Sequence, residues 1–349
     1  MTLYDIELEN IKSTVAADRN IIESIPGVVG TGITHTAITG IGGGYHLVVY
    51  LEYFDLTLVD QIIQAVGGLS ISGIVHTRDY VPVTFEVTGA WHVLPTCGCT
   101  QKEGTFGSRY RPIQGGASIS NSNICNAAAD VCYTGTLAGF PLDSSGKPVL
   151  LSNNHVIAID FSKPDFYTGK RGDPIIQPGF RDGGNSDTDA IASLEKWVKV
   201  MMDSSDNKVD CGYAVINGEI AVSDANLCGA VTGKKSVDPV VGMAVKKAGR
   251  TTGCTTGKIK AVSVSGNVRY STGTAHFVDQ VKTSLNLNSG DSGSLILTDQ
   301  DEPVALLFSS GPQNTIKNVE NALGVLFGGA GECAPLGCGF SLEVEEKVI

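Results

Sequence analysis

The stretch Leu287-Asn288-Ser289-Gly290-Asp291-Ser292-Gly293-Ser294-Leu295 sets a polar, glycine-bearing turn against an apolar strand. A hydroxyl becomes a useful nucleophile only when a neighbouring base takes its proton and backbone N–H groups wait where a carbonyl oxygen will turn negative. Gly290 has the backbone freedom to aim its N–H, with that of Ser292, into one such oxyanion hole. Taken alone, the run reads equally as a β-turn, which Gly, Asp and Ser favour. What separates the two readings lies upstream.

The run Val149-Leu150-Leu151-Ser152-Asn153-Asn154-His155-Val156-Ile157-Ala158 ends an apolar strand in polar residues and puts His155 at its rim. An imidazole facing solvent there takes a proton near neutral pH. In Val209-Asp210-Cys211-Gly212-Tyr213-Ala214-Val215-Ile216, Asp210 opens an alternating strand, as suits a partly buried carboxylate that orients an imidazole. Asp187, Asp189, Asp203 and Asp206 compete for that role. Asp203 and Asp206 lie in a polar stretch and Asp187 in a glycine-rich loop, whereas Asp189 precedes Ala190-Ile191-Ala192 and is the serious rival. The order His155, Asp210, Ser292 is that of the chymotrypsin class and not of subtilisins or α/β-hydrolases.

On these motifs the chain resembles the trypsin-like peptidase superfamily, with SNNHVIA at the histidine motif and GDSGS at the serine motif. The segments IPGVVGTGI, RPIQGGASIS, YTGTLAG, PIIQPGFRDGG, IASLEKW and VKKAGRTTGCTTGKI extend the likeness from residue 25 to about 297. In order and wording they are similar to the cytosolic bacterial peptidases related to the plant narrow-leaf protein. The resemblance implies a mainly β, chymotrypsin-like double β-barrel preceded by a small α+β domain, with homo-oligomerisation as a family trait. It implies a triad on His155, Asp210 and Ser292, an oxyanion hole from Gly290 and Ser292, and protein or peptide substrates. By similarity the side-chain pocket falls on Asn286, with Ser309, Ser310 and Gly311 along its wall. With no acid at that floor, a small or uncharged residue before the scissile bond is favoured over Arg or Lys.

The rest of the chain agrees with a β-rich protein. Charged residues are only 17% and Gly reaches 43 of 349, a composition of strands and tight turns. YTGTLAGF, PVLLSNNHVIA, DAIASLEKW, DCGYAVI, VGMAVKKAG, GKIKAVSVS, HFVDQVKTS, SLILTD and PVALLFS are short apolar runs between turn residues, enough for two six-stranded barrels. Upstream, residues 2 to 25 read as a helix, VVGTGITHT and HLVVYLEYF as strands, LVDQIIQAVGG as a helix and IVHTRDYVPVTFEVTG as a return to β. Gly40 to Gly44 reads as a hairpin loop. The expected organisation is an N-terminal domain over 1–95, a linker over 96–118, and the peptidase domain over 119–349. At its end, Ile316, Val319, Leu323 and Leu326 predict a helix.

The formal charge of −11 is spread along the chain without basic–aromatic runs, which excludes nucleic acid as the expected partner. No apolar stretch approaches the roughly 20 residues of a membrane span. The start lacks an export signal, so a cytoplasmic protein with free thiols among its nine cysteines is expected. Cys97, Cys99, Cys333 and Cys338 lack zinc-finger spacing, and no metal or cofactor set emerges. His35, His46, His76, His92 and His276 read as core or surface residues rather than ligands. Gly249-Arg250-Thr251-Thr252-Gly253-Cys254-Thr255-Thr256-Gly257-Lys258 lacks Walker spacing and reads as a hairpin turn. Two other functions fit the same features: a protease fold kept as a catalytically weak or inactive binding or assembly module, and an esterase using the same triad.

Overall fold

The computed structural model describes residues 3–40, 44–71, 74–93, 105–124, 133–159, 168–203, 205–230, 236–310 and 322–326. The N-terminal helical pattern forms α1 (Leu3–Glu23), which buries Val15 and Ile22. It is followed by β1 (Val28–His35), the short α2 (Thr36–Thr39), β2 (Tyr45–Leu51) and α3 (Leu56–Ala65). Then come β3 (Leu69–Ile71), β4 (Ile74–His76), β5 (Pro82–Val87) and β6 (Trp91–Val93). Asp55 caps α3 by accepting a hydrogen bond from Thr57 N at 2.7 Å, and Leu58 and Ile62 turn its apolar stripe onto Ile33, Leu47, Val49 and Val83. This is the small α+β part expected from the change of period.

The next elements are β7 (Ile113–Gly115), β8 (Ser118–Asn121), β9 (Gly135–Thr136), β10 (Val149–Ser152) and the helical turn α4 (Asn154–Ile157). They continue through β11 (Pro174–Ile176), α5 (Ser186–Asp189), β12 (Ala190–Trp197), β13 (Asp206–Asn207), β14 (Gly212–Ile216), β15 (Val222–Asn226) and β16 (Gly229–Ala230). Six of these strands pair in the order β10-β14-β12-β11-β8-β9. The ring closes where Ala138 N donates to Leu151 O at 2.9 Å and Leu151 N to Gly139 O at 3.1 Å. Inside it pack Ile119, Leu137, Leu150, Ile175, Leu194 and Ala214, the Ile and Leu side chains each contributing about 1.5–3 kcal/mol by leaving water. The stretch 96–118 carries more structure than a linker needs: β7 lies within it, pairs parallel with β15, and buries Ile113 completely.

A second ring is built from β17 (Ala244–Gly249), β18 (Gly253–Tyr270), β19 (Gly273–Thr283), β20 (Leu295–Thr298), β21 (Pro303–Ser310) and β22 (Ala322–Leu326). Its order is β17-β18-β19-β22-β21-β20, and β20 pairs back onto β17. Val245, Ile259, Val281, Ile296, Val304 and Leu307 fill it. The double β-barrel is therefore present in the strand pairings themselves. Ala322–Leu326, expected to continue a helix, is a strand instead, because β19 and β21 leave a gap that only a strand closes. Ile316 and Val319 lie outside the described residues. GRTTGC forms the β17–β18 hairpin turn, as read.

The rings meet across Leu151, Cys211, Leu295, Leu306 and Phe308. The N-terminal part is not a loose appendage, since β1 pairs antiparallel with β18 and places both parts in one sheet. Lys282 on β19 is almost fully buried in this contact, 2.7 Å from Glu86 Oε2 and 4.1 Å from the centre of the Tyr50 ring. Burial lowers its ammonium to about 8 against the pull of Glu86.

The cysteine expectation needs correction at two positions. Cys228 and Cys254 form a disulfide with Cα atoms 5.7 Å apart, while Cys211 is a buried free thiol. Cys97, Cys99, Cys333 and Cys338 lie outside the described residues. No helix among the described residues is long and apolar enough to cross a membrane.

Two stability outcomes follow. Cys228→Ser should lower unfolding free energy by about 3 kcal/mol in urea titrations under non-reducing conditions, the size expected for a loop of this length. Lys282 has a folded-state pKa below its unfolded value, so its burial opposes folding most below about 8 and less as pH rises toward the ordinary lysine range. The advantage of Lys282→Met over the native protein should thus shrink by about 3 kcal/mol between pH 7.5 and 10.5, read from the same titrations.

Candidate active site

His155 does not sit at a solvent-facing rim. The chain leaves β10 at Ser152 and turns at once into α4, so His155 is drawn under the surface and is only 2% exposed. Asp210, just ahead of β14, is fully buried. Its Oδ2 stands 2.8 Å from His155 Nδ1, and its Oδ1 accepts the His155 backbone N–H at 3.2 Å. Asn153 Nδ2 donates to the Asp210 carbonyl at 2.7 Å, fixing the start of α4 against the same residue.

Tyr270 completes the shell. Its hydroxyl, at the far end of β18 in the second ring, donates to Asp210 Oδ2 at 2.7 Å. Burial alone would raise the Asp210 carboxyl, but the attraction of His155 and the bonds from His155 and Tyr270 outweigh it and hold the group below the usual carboxylate range. Burial, with the same pairing to Asp210, pushes the Tyr270 phenol well up.

Asp189 is otherwise engaged. Its carboxylate accepts from Arg109 Nε at 2.9 Å and from Asn185 N at 3.0 Å, tying α5 down. Asp206 pairs with His276 at 2.9 Å, and Asp187 and Asp203 are exposed. Among the acids weighed, Asp210 is the one in contact with His155.

Ser292 is fully buried in the turn between Leu287 and β20. The loop is held by the preceding residue. Asp291 Oδ1 accepts the N–H groups of Thr251 and Thr252 at 2.9 and 3.1 Å, and Oδ2 accepts Thr252 Oγ1 at 2.7 Å and Asn288 N at 2.8 Å. The buried Lys247 ammonium lies 3.6 Å away; burial lowers it while Asp291 pulls it back. Gly290 takes φ +95°, which favours glycine, and among the described residues neither its N–H nor that of Ser292 is engaged in a hydrogen bond. Two unspent amides in a buried loop are what an oxyanion hole requires.

The helical turn that carries His155 and the loop that carries Ser292 meet at β9. A Cβ on Gly135 would come within 2.6 Å of Val156 Cγ2 and 2.9 Å of the Ser292 carbonyl, so α4 and the serine loop press on one point of β9. The hydroxyl itself is turned to the Phe308 carbonyl at 3.4 Å, and His155 Nε2 is buried with no hydrogen-bond partner among the described residues. Of the expected pocket residues, Asn286 is exposed and its carbonyl accepts Thr255 Oγ1 at 3.0 Å. Ser309 and Ser310 are buried at the end of β21, and Gly311 lies outside the described residues.

No protein-family model matches the chain. Comparison with curated sequences gives no match either. Among solved structures, the fold is similar to protease A of Thermobifida fusca (19% identity, 61% of this chain and 91% of that one, TM-score 0.40). It is similar also to the chymotrypsin of Cellulomonas bogoriensis (16%, 61% and 91%, 0.39) and to Nocardiopsis protease (18%, 61% and 92%, 0.40). The strand pairings themselves make the fold mainly β, a double β-barrel with a small α+β part ahead of it.

Tyr270 and Lys247 were not singled out by sequence. Tyr270 belongs to no local motif, and its partner lies in the other barrel. Lys247 left a signal: it alternates with Val245 in a strand whose inward face is otherwise apolar. Because Asp210 is held below its unfolded value, its stabilisation is present above about pH 4 and lost as pH falls through the folded value. Tyr270→Phe removes one bond to the charged form, so it should cost about 1–2 kcal/mol at pH 7 and shift acid unfolding to higher pH, as followed by circular dichroism.

Proposed function

We propose that the protein is a serine endopeptidase working by acyl transfer through His155, Asp210 and Ser292. The observation that supports this best is that Asp210 takes the Nδ1 side of His155 and leaves Nε2, buried and without a partner among the described residues, for another group. In that tautomer Nε2 is the lone-pair nitrogen, the form a general base needs. This mechanism requires the Ser292 side chain to rotate away from the Phe308 carbonyl and bring its hydroxyl to Nε2. His155 removes the hydroxyl proton as Oγ attacks a peptide carbonyl, and the amides of Gly290 and Ser292 receive the developing oxyanion. His155 then protonates the leaving amine, and water, activated by the same nitrogen, releases the acyl group. Asp210 stays ionised and balances the imidazolium.

Substrates in this reading are polypeptides with an uncharged residue before the scissile bond, since no acid stands among the described pocket residues to pair a Lys or Arg. A fluorophosphonate should label Ser292 and leave Ser292→Ala unlabelled. Asp210→Asn should retain the fold and lower kcat by about 10⁴ on a peptide substrate. Equal turnover in Asp210→Asn, or no labelling of native protein, would exclude this mechanism, and failure to cleave any peptide by a protein that labels would favour an esterase or a binding module.

A further inference from the structure

Phe308, whose carbonyl the Ser292 hydroxyl touches, belongs to β21, and the next two residues carry that strand past the nucleophile. Ser309 and Ser310 pair on one side with β22. Their other side is not filled by β20, whose pairing with β21 runs from Pro303 to Leu306, short of the serine loop. It is filled by β6: Val93 stands opposite Ser309 and His92 opposite Ser310, antiparallel.

A peptide that is to be cut must lie extended with its carbonyl at Ser292 Oγ. Adding a strand to a sheet edge is the most direct way for a protein to hold an extended chain, because backbone hydrogen bonds supply affinity whatever the side chains. The edge formed by Ser309 and Ser310 runs directly past the nucleophile, and the protein's own chain occupies it. The occupant is firmly seated. Trp91 is 2% exposed, donates from Nε1 to Thr88 Oγ1 at 3.1 Å, and lies over Gly266, where a Cβ would meet its Cζ3 at 2.5 Å. On its far side β6 pairs parallel with β18, Trp91 opposite Val268.

The surroundings are those of a closed site. Ser292 and Asp210 are fully buried and His155 nearly so, although hydrolysis of an acyl group needs water at Ser292. Two buried polar atoms, His155 Nε2 and Ser309 Oγ, have no partner among the described residues. Unsatisfied buried polar groups are rare and call for a missing partner.

We propose that Trp91–Val93 is an internal occupant of the substrate groove, so that the protein is latent until an extended polypeptide displaces this strand from Ser309 and Ser310. The inference rests on the peptidase reading above and adds to it both a closed state and a substrate class. The incoming chain binds antiparallel to β21 and brings an aliphatic side chain to the place opposite Ser309 that Val93 now holds. An occupant of this kind lowers apparent affinity by the fraction of molecules in which the groove is open.

Two reagents separate the inference from its foundation: a small fluorophosphonate, which needs only Ser292, and an Ala-Ala-Val diphenyl phosphonate, which also needs the strand edge. Native protein should label with the first. Val93→Pro, which weakens the β6 pairing, should react about tenfold or more faster with the second than native protein does. Hydrogen exchange on native protein carrying the peptidyl phosphonate should show amides 91–93 losing protection while Ser309 and Ser310 keep theirs, a measurement that holds even if the variant folds poorly. Normal fluorophosphonate labelling with protection of 91–93 unchanged in the peptidyl adduct overturns the internal occupant alone. No labelling of Ser292 by either reagent overturns the peptidase reading and the occupant together.

Discussion

A carboxylate with no water around it has to find its counter-charges and dipoles inside the protein, and Asp210 gathers them from two directions. The backbone and ring of His155 come from α4, and the phenol of Tyr270 comes from the other barrel. A separate tie, from the Asn153 amide, holds the residue by its main-chain carbonyl. Losing His155 or Tyr270 would leave a buried charge short of partners, which is far more costly than an exposed one. The relative placement of the two barrels is therefore tied to the electrostatics of a single side chain, and the orientation of the imidazole is a by-product of satisfying it.

A second buried acid plays the same part for the serine loop. Asp291 takes two backbone N–H groups from the β17–β18 turn and one from Asn288, with Lys247 behind it. The loop is held through Asp291, and among the described residues the Gly290 and Ser292 amides make no hydrogen bond. Both acids work through the chain around them as much as through their charge.

What was legible in the sequence was local. Each of the nine apolar runs contains a strand, because a period of two with β-branched residues and glycine boundaries is decided within a few residues, although the HVIA end of the second run turns into α4. Motif, order and strand alternation singled out the serine loop, the histidine run and Asp210, and of these the structure shows Asp210 rather than Asp189 against His155. The errors came from tertiary demands. Leu323 and Leu326 keep helical spacing, yet the open gap between β19 and β21 takes their segment as a strand. His155 reads as a rim residue until α4 turns it inward. Cys228 and Cys254 stand 26 residues apart, and the hairpin read at Gly249 to Lys258 does not tell which distant residue will pack against it. Tyr270 was invisible for the same reason, since its partner is 60 residues away in sequence and in the opposite barrel.

The pairing of β1 with β18 gives the N-terminal segment a protective office. Gly30 faces Gly266 and Ile33 faces Val262 along the flank of the second barrel's longest strand. Without that cover the flank would present a row of bare N–H and C=O groups, a template on which further chains assemble. The first 35 residues act as the hem of that sheet, and a fragment begun downstream of them would carry a sticky margin into solution even with every residue of its chemistry intact.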